Sequence, residues 1–296
     1  MLKKKIRIAY LLLAHKNPEQ LNKFTEQLSM DKFADIYVHI DKKNYVKMSS
    51  EIDGKNITIL KERVDISWGD ISLVDAAMCL LREAVNSGRK YDFVCLRSGQ
   101  DLLVRSGLAD YLELNRHKLF MNAWKMDGSG SGAYFWRIKW PRFTRRQYDS
   151  AFHPFRIFRS ALIRLYKLGI NFFPNPKKMQ MDIYRGSQWF CVPGYAAEYI
   201  VNFVANNVWY YEFFKDSLAP DEYFFQTLLM NSEYVKDNVC NNLTYIRFGQ
   251  TKKDNNHAAT LTMADVPEIE QSNKFFARKF DRAVDSEVIE YFAGRC

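Results

Sequence analysis

Nowhere in this chain do two aspartates stand two residues apart, so it has no Asp-x-Asp of the kind that holds a catalytic metal on a nucleotide sugar. Cysteine is sparse: the five residues (79, 95, 191, 240 and 296) show no Cys-x-x-Cys spacing and are odd in number. Most sit in apolar runs such as Val94-Cys95-Leu96 and Phe190-Cys191-Val192. They read as reduced, buried small hydrophobes of a cytosolic protein, not as disulfide or zinc partners. The five His are scattered without metal-ligand spacing, so no metal site is expected. No uncharged run approaches the ~18 residues that span a bilayer. The apolar start, Ile6 to Ala14, is short, carries Arg7 and meets no small-residue cleavage site. A first buried strand explains it better than a signal peptide. These absences predict a cytoplasmic chain, at most peripheral on the inner face of the membrane. Nothing resembles a helix-turn-helix, zinc-finger or RNA-recognition signature, so nucleic acid is not an expected partner.

What is present is a chain of 296 residues, 47% hydrophobic, which suffices for a full core. Aromatics make up 15%, with 17 Tyr and 22 Phe, and suit either an aromatic-rich core or rings stacked on planar or sugar ligands. The formal charge is +9. Without nucleic-acid motifs it leaves an anionic membrane, a phosphate-bearing substrate, or a solvated basic face with no partner.

Along the chain, apolar runs at 6–14, 36–41, 57–60 and 91–96 read as strands. Helical patterns follow from Pro18 to about Met30 and from Ile71 to Asn86. Strands alternating with helices predict an α/β fold with a parallel-type sheet flanked by helices. Ligands of such folds sit beyond the carboxyl ends of the strands. His15, Asp41 and Ser98 to Asp101 fall there, which is where a nucleotide should bind. From Trp124 to Lys178 the pattern loosens. It holds a Gly128–Gly132 loop, Trp136, Trp140, a basic run (Arg137, Lys139, Arg142, Arg145, Arg146), a helical stretch from Phe155 to Leu168, and a stop at Pro174-Asn175-Pro176. This basic aromatic lobe is a candidate lid, acceptor platform or membrane-facing surface. Regularity returns at Gly186–Val192 and in a helix from Tyr195 to about Asn206.

Glu222 follows Ser217-Leu218-Ala219-Pro220-Asp221, a helix start with Pro ahead of an acidic first turn. Asp221 and Glu222 either complement the helix dipole, or Glu222 is a general base taking a proton from an attacking hydroxyl. Arg278 and Lys279, between Phe276 and Phe280, are either a surface pair framed by inward rings or a clamp for a departing diphosphate, made without a metal. Arg247 and Lys252-Lys253 are candidates to extend that clamp. Asp41 either faces a base or ribose or serves as a strand-end turn residue. Trp68-Gly69 either brings backbone close to a nucleotide or places Trp68 in the core. Asp101, beyond Gly99, either reaches the donor sugar or caps the next element.

Seven blocks together resemble the core-2/I-branching β1,6-N-acetylglucosaminyltransferases, with which peptide O-xylosyltransferases are grouped. In family order they are AYLLLAHKNPEQL (9–21), IYVHIDKK (36–43), SWGDISLVDA (67–76), FVCLRSGQDLLVRS (93–106), GSQWFCV (186–192), APDEYFFQTLLMNS (219–232) and FFARKFD (275–281). They span nearly the whole chain except the middle lobe. The resemblance implies a GT-A-type, Rossmann-like mixed sheet and an inverting, metal-independent transferase of a UDP-sugar, GlcNAc favoured, acting on a glycan or lipid-linked acceptor. The alternatives are a xylosyl- or hexosyltransferase of the same mechanism, or a non-catalytic basic module that binds glycan or another anion. It implies one domain over 1–296: a nucleotide-binding half (1–123), the basic inserted lobe (124–178) and an acceptor and catalytic half (179–296). By position Glu222 matches the family's base, Lys279 with Arg278 the diphosphate site, and Asp41 with Trp68-Gly69 the uridine-side wall. Trp189 and Asp101 fall in segments used near donor sugar and acceptor. Gln188 stands where xylosyltransferase-like members commonly carry Asp, which weakens a xylosyl reading. Arg247 is the candidate second phosphate contact. Animal members carry a membrane anchor, a stem and a disulfide set, and this chain shows none. That implies a bacterial, cytosolic enzyme of surface-polysaccharide synthesis with peripheral contact to an anionic membrane.

Overall fold

The computed structural model describes residues 6–52, 54, 56–126, 150, 152–168, 170, 179–235, 238–249 and 258–295. The Gly128–Gly132 loop, Trp136, Trp140, the basic run at 137–146, Pro174-Asn175-Pro176 and Lys252-Lys253 lie outside them.

In chain order the first half runs β1 (Ile8–Ala14), α1 (Pro18–Ser29), β2 (Ala34–Ile40), α2 (Tyr45–Ser49), β3 (Ile57–Ile59), α3 (Ser72–Val85), β4 (Phe93–Ser98), β5 (Leu102–Leu103), α4 (Leu108–Leu114), β6 (Leu119–Phe120) and β7 (Ala123–Lys125). The second half runs α5 (Pro154–Lys167), β8 (Tyr184–Gly186), β9 (Cys191–Pro193), α6 (Gly194–Asn206), α7 (Val208–Phe214), α8 (Phe224–Met230), β10 (Val239–Cys240), β11 (Thr244–Ile246), α9 (Val266–Gln271), β12 (Phe276–Arg278) and α10 (Glu287–Ala293). The main sheet has seven strands in the order β10-β6-β9-β4-β1-β2-β3. Its β4-β1-β2-β3 half is parallel, and β9 runs antiparallel to both β4 and β6. The parallel half is the one that the strand–helix alternation predicts, and the mixed, helix-flanked sheet is what the family resemblance implies.

β1 shows why the sheet sits between two apolar layers. Its burial is unbroken, and alternate side chains point to opposite faces. Ala9, Leu11 and Leu13 pack into a core with α3 and α6. Ile8, Tyr10, Leu12 and Ala14 pack into a second core with α1 and α10. A strand buried on both sides therefore reads as a continuous apolar run. Cys95 and Cys191 face each other across the β4–β9 ladder as free, buried thiols, as the sequence predicts for these two.

Two expectations change. The stretch Gly186–Val192 is not one regular segment: β8 pairs with β7 in a separate ribbon, and β9 belongs to the main sheet. The acidic segment at 220–222 does not open a helix. Ala219 takes the left-handed conformation at φ 53, Pro220–Glu222 forms a short 3-10 turn, and Tyr223 at φ −129 breaks away before α8 begins at Phe224.

Candidate active site

A cavity of about 1040 Å³ opens beyond the carboxyl ends of the parallel strands, where the sheet topology predicts a ligand. Leu13, Ala14 and His15 at the end of β1, Asp41 after β2, and Ser98 and Gln100 at the end of β4 form one wall. The opposite wall comes from short pieces: Asn122–Trp124, Arg185–Trp189, Asp221-Glu222, Asn241-Asn242, and Lys274 with Arg278-Lys279. Trp68 and Phe248 complete the rim, both well exposed.

Glu222 is held from behind and from the side. Its turn hangs from Gly69, whose carbonyl accepts from Ala219 N at 2.8 Å. Behind it Tyr223, Phe224 and Phe225 are fully buried, and the Tyr210 hydroxyl donates to the Phe224 carbonyl at 2.5 Å. In front, Arg185 donates from Nε and Nη2 to the same Oε2 of Glu222, at 3.0 and 2.8 Å. β8 brings Arg185 this close because Gly186 lies flat on the preceding wall: a Cβ there would fall 1.6 Å from the Asn122 carbonyl oxygen. Trp124 lies beside the guanidinium, 5.8 Å from ring centre to Cζ. Sequence reasoning missed Arg185. Its signal was the Arg-Gly pair, since only glycine allows that close approach.

The cationic pair has the opposite setting. Arg278 is largely enclosed, with its guanidinium 4.3 Å over the Trp189 ring and 3.5 Å from Asp101. Burial lowers the Arg278 pKa, the Asp101 charge opposes that, and Arg97 adds to it. Asp101 is itself fully buried behind the wall, where desolvation raises its pKa and Arg278 and Arg97 counter it. Asp101 therefore backs Arg278 and does not line the cavity. The Lys279 pKa is lowered by partial burial, then by Lys16 and Arg278. The His15 pKa is lowered by desolvation and by Lys16. Cations crowd this end of the cavity.

The remaining predicted residues divide. Asp41, Trp68, Gln188 and Trp189 line the cavity. Asp41 also caps its own turn, accepting from Lys43 N at 3.1 Å, so its turn-residue role is real. Gln188 keeps a buried Nε2 without a protein partner. Gly69, at φ 74, is not a lining residue but the junction that anchors the Glu222 turn. Arg247 is not brought to the cavity: its Nε pairs with Asp265 at 2.8 Å and its Nη2 donates to the Thr260 carbonyl. Its pairing in this structure is with Asp265, and the clamp role expected of it stays a candidate. The ladder explains that pairing, because Ile246 and Phe248 line the cavity and the intervening side chain points away. Lys274 was missed. Its ammonium donates to the Asn242 carbonyl at 2.8 Å on the cavity wall. Among the described residues no three His, Cys, Asp or Glu gather closely enough to hold a metal ion.

The sequence profile described as Core-2/I-Branching enzyme matches residues 8–272. Xylosyltransferase 2 of Rattus norvegicus is 26% identical over 312 residues, covering 96% of this chain and 33% of the relative. Xylosyltransferase 1 of Rattus norvegicus is 25% identical over 307 residues, covering 96% and 35%. The chain thus spans about a third of the length of these curated relatives. Among solved structures, core-mannan synthase A of Aspergillus fumigatus in a Mn/GDP form matches with a TM-score of 0.36 at 9% identity, over 78% of this chain and 71% of that one.

Proposed function

We propose that this chain, which belongs to the Core-2/I-Branching enzyme family, transfers a sugar from a UDP-sugar to a hydroxyl of a glycan or lipid-linked acceptor, with inversion, in surface-polysaccharide synthesis. One observation carries the reading. Glu222 and the Arg278-Lys279 pair line a single cavity at the carboxyl ends of the parallel strands.

The reaction is one in-line displacement. The acceptor oxygen bonds to the anomeric carbon, Glu222 takes the acceptor proton, and the bond from that carbon to the diphosphate oxygen breaks. The electron pair leaves on UDP. Arg278 and Lys279 meet the charge that builds there, a preorganised electrostatic role that often dominates catalysis. Burial lowers the Lys279 pKa first, and the nearby Lys16 and Arg278, themselves paired with Asp281 and Asp101, add to it; a dianion bound at the cavity would favour the charged ammonium. Arg185 is a positioning residue. Two bonds to one oxygen fix the direction of the Glu222 carboxylate and keep its negative charge matched. Asp41 and Trp68 would face the nucleoside, and Trp189 and Gln188 the transferred sugar.

GlcNAc is the favoured donor, from the branching-enzyme kinship. A second reading, xylose, is favoured by the names of the relatives above. Calorimetric titration with UDP and a panel of UDP-sugars in excess EDTA tests the proposal. Micromolar UDP binding that survives chelation, with one sugar preferred, is expected and names the donor. Binding that appears only when Mn²⁺ or Mg²⁺ is restored overturns the cation clamp. No binding under either condition makes the chain a basic binding module and not a transferase.

A further inference from the structure

A helix on the surface of a water-soluble protein ordinarily buries its apolar stripe and shows its charges. α5 buries Leu162 but leaves other large apolar side chains outside. Arg156 and Arg159 lie on its half-buried side. Ile157 and Phe158 are 55% and 47% exposed, and Leu168, just past the helix, is 75% exposed. Positions 154, 157, 158, 161, 164 and 168 recur at helical spacing. Pro154, Ile157, Phe158, Ala161, Arg164 and Leu168 therefore share one outward face that carries a single charge, and it is positive. Phe152 and Phe155 extend the exposed apolar surface at the amino end. No helix among the described residues is long and apolar enough to cross a membrane, so this face suits contact with a surface and not a span.

Charge identifies the partner. From Gly128 to Met181 the sequence has eleven Lys and Arg against one Asp, more than accounting for the chain's net +9. α5 contains no acidic residue. α5 itself carries Arg156, Arg159, Arg164 and Lys167 with no acid to pair across a two-fold contact, so apposing two copies of the helix sets like charges together. A phospholipid bilayer with anionic headgroups offers both missing complements, negative charge at the surface and an apolar layer just beneath.

We propose that the outward face of α5 docks on an anionic phospholipid bilayer, with Ile157, Phe158 and Leu168 entering the headgroup–acyl boundary and Arg164 pairing with headgroups. The proposal is independent of what the cavity transfers. It is tested on the full chain by flotation with vesicles of phosphatidylcholine alone and of phosphatidylcholine mixed with phosphatidylglycerol. Binding to the mixed vesicles only is expected, weakening as salt rises. The double variant Ile157→Glu/Phe158→Glu should reduce that binding at least about tenfold. Its far-UV circular dichroism and UDP affinity should stay unchanged, because both side chains are exposed and neither lines the cavity. Arg164→Glu should give a smaller loss that disappears at high salt. Equal partition of the wild type to both vesicle types overturns the proposal, as does full binding by the double variant. Wild-type dimers that the double variant dissolves, with no vesicle binding by either, would show that the face pairs with a second copy of the chain instead.

Discussion

The two walls of the cavity are built by different physics. The wall from β1, β2 and β4 ends long strands whose every side chain is buried. Its geometry is inherited from a sheet locked between two cores. The opposite wall uses strands of two or three residues, a 3-10 turn and connecting loops, and polar side chains tie it together. Gln226 donates to the Ser187 carbonyl at 2.6 Å, Asn242 N donates to Asn122 at 3.0 Å, and Asn231 donates to the Asp182 carbonyl at 2.7 Å. The strand-end wall carries His15 and Asp41, whereas the irregular wall carries Arg185, Asp221, Glu222, Lys274, Arg278 and Lys279. Ionisable groups collect where the backbone is free to aim them, on a scaffold that keeps the facing wall fixed.

Within the irregular wall, loss of Glu222 or Arg185 should stop chemistry while UDP affinity, held by the Arg278-Lys279 pair, survives. The largest effect should come from Glu222→Gln, which keeps the shape and removes the base. Transfer should fall by about 10²–10⁴-fold, the usual worth of general-base help. Calorimetry should find UDP affinity unchanged, because Glu222 is not part of the cationic end. A normal transfer rate would remove Glu222 from the mechanism and leave the irregular wall as architecture.

Next in size is Arg185→Met, which leaves the carboxylate in place and releases its direction. A misplacement on the order of 1 Å can cost about 10²-fold, so kcat should drop by roughly 10- to 100-fold with UDP affinity unchanged. Arg185→Lys should recover part of kcat but not all of it, since one ammonium cannot reproduce two bonds from a planar fork. A fall in Tm with no kcat recovery by lysine would mean that Arg185 only braces the β7–β8 ribbon.

The same contrast explains what was legible in the sequence. The strand-end wall could be read because period and burial write it locally: the run 6–14 and Asp41 after Ile40 needed no tertiary information. Gly69 and Arg247 do not line the cavity, which the sequence does not show. In each case a partner distant in sequence decides the matter, Ala219 for Gly69 and Asp265 for Arg247. Arg185 could not be paired from sequence because its partner lies 37 residues away across a close approach that Gly186 permits. The turn at 220–222 reads as a helix start from Pro and two acids, and local propensity loses there to the hydrogen bond that fastens Ala219 to Gly69.

The smallest effect sharpens the comparison from the other side, because among the described residues His15 is the one cavity-lining imidazole. Desolvation and the Lys16 charge hold its pKa below the ordinary histidine value. A diphosphate bound beside it would favour the charged ring and raise that pKa. Binding then takes up a proton, and the contribution of His15 is present below the bound-state pKa and lost as pH rises through it. UDP itself titrates in this range, so the informative quantity is the ratio of wild-type to His15→Asn affinity measured at each pH. That ratio should approach one at alkaline pH and grow as pH falls, to about fivefold at most, as for an exposed ion pair of ~1 kcal/mol. A ratio that stays at one throughout would confine diphosphate recognition to the irregular wall, and the strand ends would then supply shape without charge.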